Sequence, residues 1–178
     1  MQLTYEKKAA MTLIGYHTEI QPEDGCQKCP EFWDRQYAAR FSRLFQTMKP
    51  ETPLEEAVLA NGIGQFSICA DSENGFTYWI AGLYTGGEVP EGLELFTFPE
   101  SWWAVFSTKG PMPHTIQNLN TYVWEEWFPT EGKKHQANGS ATLEVYSDGN
   151  PQSPDYESGI WVPVKEYREG AFHENTCH

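Results

Sequence analysis

The order of predicted secondary structure constrains the fold of this chain most, because it is the same in both halves. Apolar residues recur with the period of strands in some segments and with the three-to-four spacing of helices in others. In the first half these patterns predict a strand at 11–20, a helix at 30–48, a short helix at 52–61 and strands at 64–70 and 76–85. In the second half they predict a strand at 101–108, a helix at 114–127 and strands at 141–147 and 159–165.

Local signals place the ends of these elements. Pro30 suits the first turn of the long helix, and Thr52 with Glu55 forms a capping box at the start of the short one. Pro129 is expected beyond the end of the second-half helix. Pro163 cannot donate to a strand ladder and favours an edge position or a bulge.

The repeated order predicts an α+β fold of duplicated βαββ units. Phe66 and Leu143, 77 residues apart, are examples of equivalent positions. We expect one domain over residues 1–178, with pseudo-repeats at about 9–88 and 93–166 and a C-terminal tail at 167–178. The expected architecture is an antiparallel sheet with helices on one face and a central cleft between the halves, where ligands commonly bind.

The charge of the chain argues against direct binding of nucleic acid. A formal net charge of −13 and a pI near 4.7 repel phosphates and attract cations. Solubility alone is an alternative reason for such acidity. No apolar run reaches the ~18 residues of a membrane span, and the first residues lack the apolar core of a secretion signal, so the expected location is the cytoplasm.

The four cysteines include one C-x-x-C, formed by Cys26 and Cys29. Zinc needs four ligands, and the candidate site joins these two cysteines to the tail residues His173, Cys177 and His178. No second C-x-x-C or spaced histidine pair supports it, and the βαβ context of a thioredoxin-like redox motif is missing. We therefore predict no metal site and no cofactor.

Glu144 is the leading candidate for a functional side chain. Alternation along ATLEVYS places Leu143 and Val145 on one face of a strand, and Glu144 and Tyr146 on the other. We expect the first face to pack against helices and the second to face the cleft. An unpaired carboxylate there selects a cationic or hydrogen-bonding ligand. The alternative is that Glu144 faces solvent or pairs with Lys165.

Aromatic residues on predicted strands are candidate walls of the cleft, because flat rings suit planar ligands and stack with cations. Ordinary core packing is the alternative for each of them, and it is the prediction for Trp33, Phe41 and Phe45, which recur at helical spacing. Glu126, near a helix end, is either held by a specific partner or solvated. The residues predicted to bind a ligand are Glu144, Tyr146, Tyr78, Trp79, Trp103, Trp161, Phe66 and Glu126.

Three blocks of the sequence resemble the GyrI-like small-molecule-binding domain, the effector-binding domain of AraC-type and MerR-type multidrug regulators. They are GQFSIC at 64–69 with FTYWIAG at 76–82, WAVF at 103–106 with EEWFP at 125–129, and LEVY at 143–146 with IWVPV at 160–164. The resemblance implies a cavity for hydrophobic, often cationic, compounds. Since it runs over nearly the whole chain, we expect a stand-alone member without a DNA-binding domain.

Three functions are compatible with this resemblance. The first is a binding protein that senses or sequesters an amphipathic small molecule, cationic or neutral. The second is a hydrolase of reactive compounds such as cyclopropane-bearing genotoxins, with Glu144 and Tyr78 or Tyr146 as catalytic residues. The third is a protein-interaction module of gyrase-inhibitor type, whose acidic surface meets a basic protein partner.

Overall fold

An eight-stranded antiparallel sheet forms the framework of the protein in the computed structural model, which describes residues 1–165. The strands are β1 (Gln2–Lys8), β2 (Met11–Ile20), β3 (Phe66–Ser72), β4 (Gly75–Leu83), β5 (Glu94–Phe98), β6 (Ser101–Lys109), β7 (Ala141–Tyr146) and β8 (Glu157–Val164). The α-helices are α1 (Gly25–Phe32), α2 (Ser42–Thr47), α3 (Pro53–Ala60) and α4 (His114–Tyr122). A 3-10 turn, Pro22–Asp24, precedes α1, and π-helical segments Trp33–Ala39 and Val123–Gly132 follow α1 and α4.

The strand order is β1-β6-β8-β7-β3-β4-β2-β5. Strands β1 to β4 of the first half correspond, in that order, to strands β5 to β8 of the second half. Replacing each strand by its counterpart gives the same order reversed, so the sheet has an approximate two-fold axis. The axis passes between β3 and β7, where Ser67 pairs with Glu144. The predicted α+β fold with duplicated units is confirmed.

The helices cover one face of the sheet in two groups. Helices α1 to α3 pack on β2 and β4 around Ile14, Leu44 and Ile80, and α4 packs on β6 and β8 around Phe106 and Trp127. The two groups leave the central strands β3 and β7 uncovered on this face, which creates a cleft between the halves.

The opposite face of the sheet packs on itself without helices. The sheet bends so that Phe98 of β5 and Trp103 of β6 meet, with ring centroids 5.2 Å apart. Leu143 is fully buried in this second core. The expectation that the Leu143 face packs against helices is therefore wrong, because the helices and Glu144 share the other face.

Two strands were not predicted, and they complete the sheet. Strand β1 pairs with β6 and strand β5 pairs with β2, so the leading strand of each half lies at the edge of the other half. β1 also begins before the expected repeat boundary at residue 9.

Three proline expectations also need correction. Pro30 lies inside α1, which begins at Gly25, and Pro129 lies inside the second π-helical segment rather than beyond the helix. Pro163 lies in β8, an interior strand. It is tolerated there because the β7–β8 ladder runs only from Leu143↔Trp161 to Tyr146↔Ser158 and does not reach Pro163.

Candidate ligand-binding cleft

The cleft over β3 and β7 has a volume of about 1660 Å³. That is larger than the ~300–1,000 Å³ of most small-molecule pockets. Its floor is the helix-side face of the central strands, and its walls come from the helical segments of both halves. The space is therefore large enough for a bulky organic molecule.

Glu144 lies at the centre of the floor, held by two phenols. Tyr146 Oη and Tyr78 Oη both donate to Oε2 of Glu144, the second at 3.1 Å. Tyr78 in turn accepts hydrogen bonds from Trp33 Nε1 at 2.8 Å and from Ser67 Oγ at 3.0 Å. Alternation on β7 brings Glu144 and Tyr146 to one face, and Tyr78 reaches them from β4 across Ser67.

Burial governs the protonation of this cluster. Loss of solvent raises the pKa of Glu144 above its ordinary value of 4.5, and the two phenol hydrogen bonds only partly offset this rise. Burial, and then the negative charge of Glu144, raise the pKa of Tyr78 and Tyr146 well above 10. Both phenols thus keep the protons that they donate.

The second carboxylate oxygen of Glu144 is unpaired within residues 1–165 and accessible. No described residue donates a hydrogen bond to Oε1. Oε1 is also not among the fully buried side-chain oxygen and nitrogen atoms of the described residues that lack a hydrogen-bond partner. Among the described residues that line the cleft, none is a lysine, arginine or histidine. The acidic ones are Asp34, Asp71, Glu144 and Asp148. The cleft therefore presents negative charge without an internal counter-charge.

The two walls carry matching aromatic pairs. Trp33 and Tyr37 lie on the first wall, with ring centroids 5.1 Å apart, and Trp124 and Phe128 lie on the second, at 4.9 Å. Each pair has the i, i+4 spacing that places side chains on one helix face. Trp33 also meets the Tyr146 ring edge-on at 5.2 Å. A ligand above Glu144 thus lies beside the rings of Trp33 and Tyr146.

The structure brings three of the predicted residues together, namely Glu144, Tyr146 and Tyr78. The other aromatic candidates, Phe66, Trp79, Trp103 and Trp161, lie in or against the core on the opposite face of the sheet. The prediction that they line the cleft is wrong, because each has the strand parity opposite to that of Glu144. Glu126 is exposed on the second π-helical segment and does not line the cleft.

Several cleft residues were not predicted as such. Trp33 and Phe45, expected in the core, pack against it and also line the cleft, whereas Phe41 is buried as expected. The spacing W-x-x-x-aromatic occurs in the helical segments of both walls, at Trp33 and at Trp124, and also on strand β6 at Trp102, so it does not identify the walls alone.

The cysteines do not form a recognisable metal site within residues 1–165. No described group of three or more His, Cys, Asp or Glu side chains is arranged to hold a metal ion. Cys26, Cys29 and Cys69 are free thiols that line the cleft, and burial raises the pKa of both Cys29 and Cys69. The tail residues proposed as partners, His173, Cys177 and His178, lie outside the described residues.

Sequence comparison decides the family. The profile of the family described as integron-associated effector binding protein matches residues 4–164. The chain belongs to this family. The resemblance to GyrI-like effector-binding domains is thereby confirmed, and with it the assignment as a small-molecule-binding domain.

Related proteins of known name and structure agree with this family. The transcriptional regulator BrlR of Pseudomonas aeruginosa is 26% identical over 103 residues, which cover 56% of this chain and 37% of that protein. The chain thus matches little more than a third of the length of this regulator.

Solved structures share the fold. SAV2435 bound to tetraphenylphosphonium superposes with a TM-score of 0.72 at 23% identity, covering 93% of this chain and 94% of that one. An integron cassette protein of Vibrio cholerae superposes with a TM-score of 0.54 at 13% identity, covering 92% and 95%. None of the described helices of the present chain has the length and apolar character of a membrane span.

Proposed function

We propose that this effector-binding protein binds hydrophobic organic cations in the cleft, with Glu144 as the counter-charge. The observation that carries the proposal is a desolvated carboxylate with one accessible oxygen in an aromatic cleft without basic lining residues. The tetraphenylphosphonium bound to SAV2435, a protein of the same fold, supports this ligand class.

The energetics favour a cation over a neutral ligand. A carboxylate removed from water loses solvation that a bound positive charge restores. Trp33, whose ring contacts that of Tyr146, adds cation–π attraction, worth about 0.5–2 kcal/mol depending on solvent exposure. A neutral aromatic compound gains only the apolar contacts.

The test is a titration of tryptophan fluorescence with tetraphenylphosphonium. Glu144→Gln keeps the shape of the side chain and an oxygen that accepts from Tyr78 and Tyr146, but it removes the charge. We expect the variant to bind at least about tenfold more weakly, because one partner of a desolvated charge pair is lost. Neutral naphthalene, which has no hydrogen-bonding group, is the control ligand, and its affinity should not change. Equal affinity of both proteins for the cation would refute the role of Glu144.

The hydrolase hypothesis rests on the same carboxyl group. A raised pKa is what a general acid or base near neutral pH requires, and burial raises that of Glu144. Both neighbouring phenols, however, donate to Glu144 and so direct their protons away from a ligand. Mass spectrometry of a reactive electrophile incubated with the protein distinguishes the two functions. Product in excess of the protein supports catalysis, and unchanged compound supports binding.

A further inference from the structure

Three carboxylates lie in a row along the central strand pair of the cleft. Glu144 pairs with Ser67 at the centre. Asp71 lies four residues farther along β3, and Asp148 lies four residues beyond Glu144, just after β7. Because the two strands are antiparallel, these aspartates are at opposite ends of the cleft. With about 3.3 Å per residue, each is roughly 13 Å from the level of Glu144.

The two end aspartates are equivalent positions of the duplicated fold. They are 77 residues apart, as are Ser67 and Glu144 on the two-fold axis. Both line the cleft, and neither side chain forms an ion pair or a hydrogen bond with a described residue. Each end thus has a carboxylate available to a ligand.

The two directions from Glu144 differ in the floor of the cleft. Toward Asp71 the lining side chains of β3, of β7 and of the residue before β7 are small, namely Cys69, Ser140 and Thr142, and the ring of Tyr78 borders them on β4. Toward Asp148 the ring of Tyr146 lies on the strand between the two acids. An extended chain that starts at Glu144 therefore has room in the direction of Asp71.

Aromatic rings lie at the Asp71 end. Phe76 is the register partner of Asp71 on β4 and lines the cleft. The backbone N–H of Asp71 donates to Ser140 O at 2.8 Å, and the neighbouring Gly139 packs under Trp124, whose ring would lie 2.9 Å from a Cβ at that position. Asp71 is thus a carboxylate close to the rings of Phe76 and Trp124. A cationic aromatic group could pair with the carboxylate and stack on the rings.

From this arrangement we infer that the preferred ligands are elongated dications, with one positive group at Glu144 and the second at Asp71. This inference rests on the proposed function and narrows its ligand class. The apolar linker of such a dication would lie over the small side chains between the two acids.

Matched ligands and variants test the inference. The dication is two quinolinium rings joined by a decamethylene chain, and the monocation is the N-decyl quinolinium, which has one ring and the same chain. Both are titrated into wild type, Asp71→Asn, Asp148→Asn and Glu144→Gln. The two aspartate variants lose the same charge at equivalent positions, so any difference between them is local.

We expect wild type to bind the dication roughly tenfold more tightly than the monocation, from one exposed charge contact plus ring stacking. Asp71→Asn should abolish most of this preference without changing the affinity for the monocation, and Asp148→Asn should retain it. The inference would be overturned if wild type bound the dication no more tightly than the monocation. It would also be overturned if Asp71→Asn kept the preference for the dication, or if Asp148→Asn lost it to the same extent. Glu144→Gln separates the two proposals, because equal monocation affinity in that variant and wild type contradicts the proposed function itself.

Discussion

At the scale of single residues, the site depends on the difference between the two halves. Ser67 is the equivalent of Glu144 across the axis, and Cys69 is the equivalent of Tyr146. A glutamate at both axis positions would place two carboxylates about 5 Å apart at Cβ, and the repulsion would protonate one of them. Serine instead donates to Tyr78, which donates to Glu144. Because the two axis positions carry different residues, the site has one carboxylate that accepts two hydrogen bonds.

The cost of burying this carboxylate predicts how stability depends on pH. Because burial raises the pKa of Glu144, the folded protein retains a proton that the unfolded chain releases. The free energy of unfolding therefore falls as the pH rises from about 4.5 through the raised pKa. We expect Glu144→Gln to melt at a higher temperature than wild type near pH 7, with the difference closing toward pH 4.

Thermal denaturation followed by circular dichroism measures this difference. Glu126→Gln is the matched control, because it makes the same change at an exposed glutamate. If the difference in melting temperature between Glu144→Gln and wild type grew toward acid pH, or equalled that of the control variant, burial of Glu144 would not be what destabilises the protein.

Strand parity explains which site residues could be predicted from the sequence. Alternation correctly placed Glu144 and Tyr146 on one face. Tyr78 and Trp79 are adjacent on one strand, so only one of them can face the cleft. The aromatic character of a residue does not indicate its face, and both faces of this sheet carry aromatic residues. Whether a strand residue faces the same side of the sheet as Glu144 was the information needed to separate the cleft aromatics from the core aromatics.

At the scale of elements, the cleft walls depend on irregular helices and close glycine contacts. The π-helical segment Trp33–Ala39 carries Trp33 and Tyr37 into the cleft. Tyr37 Oη donates to Ile63 O at 2.9 Å, beside Gly64. Gly64 has φ +118°, and a Cβ there would lie 2.0 Å from Tyr37 Oη. The loop before β3 and the first wall therefore fit together only with glycine at this position.

Gly64→Ala should destabilise the protein by about 3 kcal/mol or more, from backbone strain and a clash with Tyr37. Gly149→Ala is the control, because Gly149 has a similar φ of +113° with nothing within 4 Å of its Cβ position. That variant should lose only about 1 kcal/mol. Urea denaturation gives both values, and equal losses would show that the contact with Tyr37 carries no cost.

The strands missed in the sequence have a core-facing pattern of only two apolar residues each, Leu3 and Tyr5 in β1 and Phe96 and Phe98 in β5. Strand β1 is mostly polar and only partly buried, and β5 is a five-residue strand inside a Gly- and Pro-rich segment. Such edge strands form because a neighbour offers an unpaired edge, not because of their own periodicity. Helices were predicted at 30–48 and 114–127, but their π-helical character was not, since the period of 3.6 assumes a regular helix.

At the scale of the whole molecule, exchange of the edge strands links the two halves. β1 pairs with β6, and β5 pairs with β2. Leu3 and Tyr5 of β1 consequently pack in the core of the second half. The bent sheet adds a shared core in which Phe98 and Trp103 meet. A fragment covering either half would lack an edge strand and one side of this shared core.

Because the edge strands are exchanged, the two halves should unfold as one unit. Native-state hydrogen exchange of a Leu3→Ala variant tests this prediction. Leu3 is partly buried against the second half, so its truncation should cost about 1–2 kcal/mol. If the halves unfold together, the slowest amides of β4 in the first half and of β8 in the second should lose this same free energy. Thr4→Ala, on the exposed face of β1, should change neither by more than about 0.5 kcal/mol. A loss confined to β8 would mean that the halves open independently, and the cleft between them would then open without global unfolding.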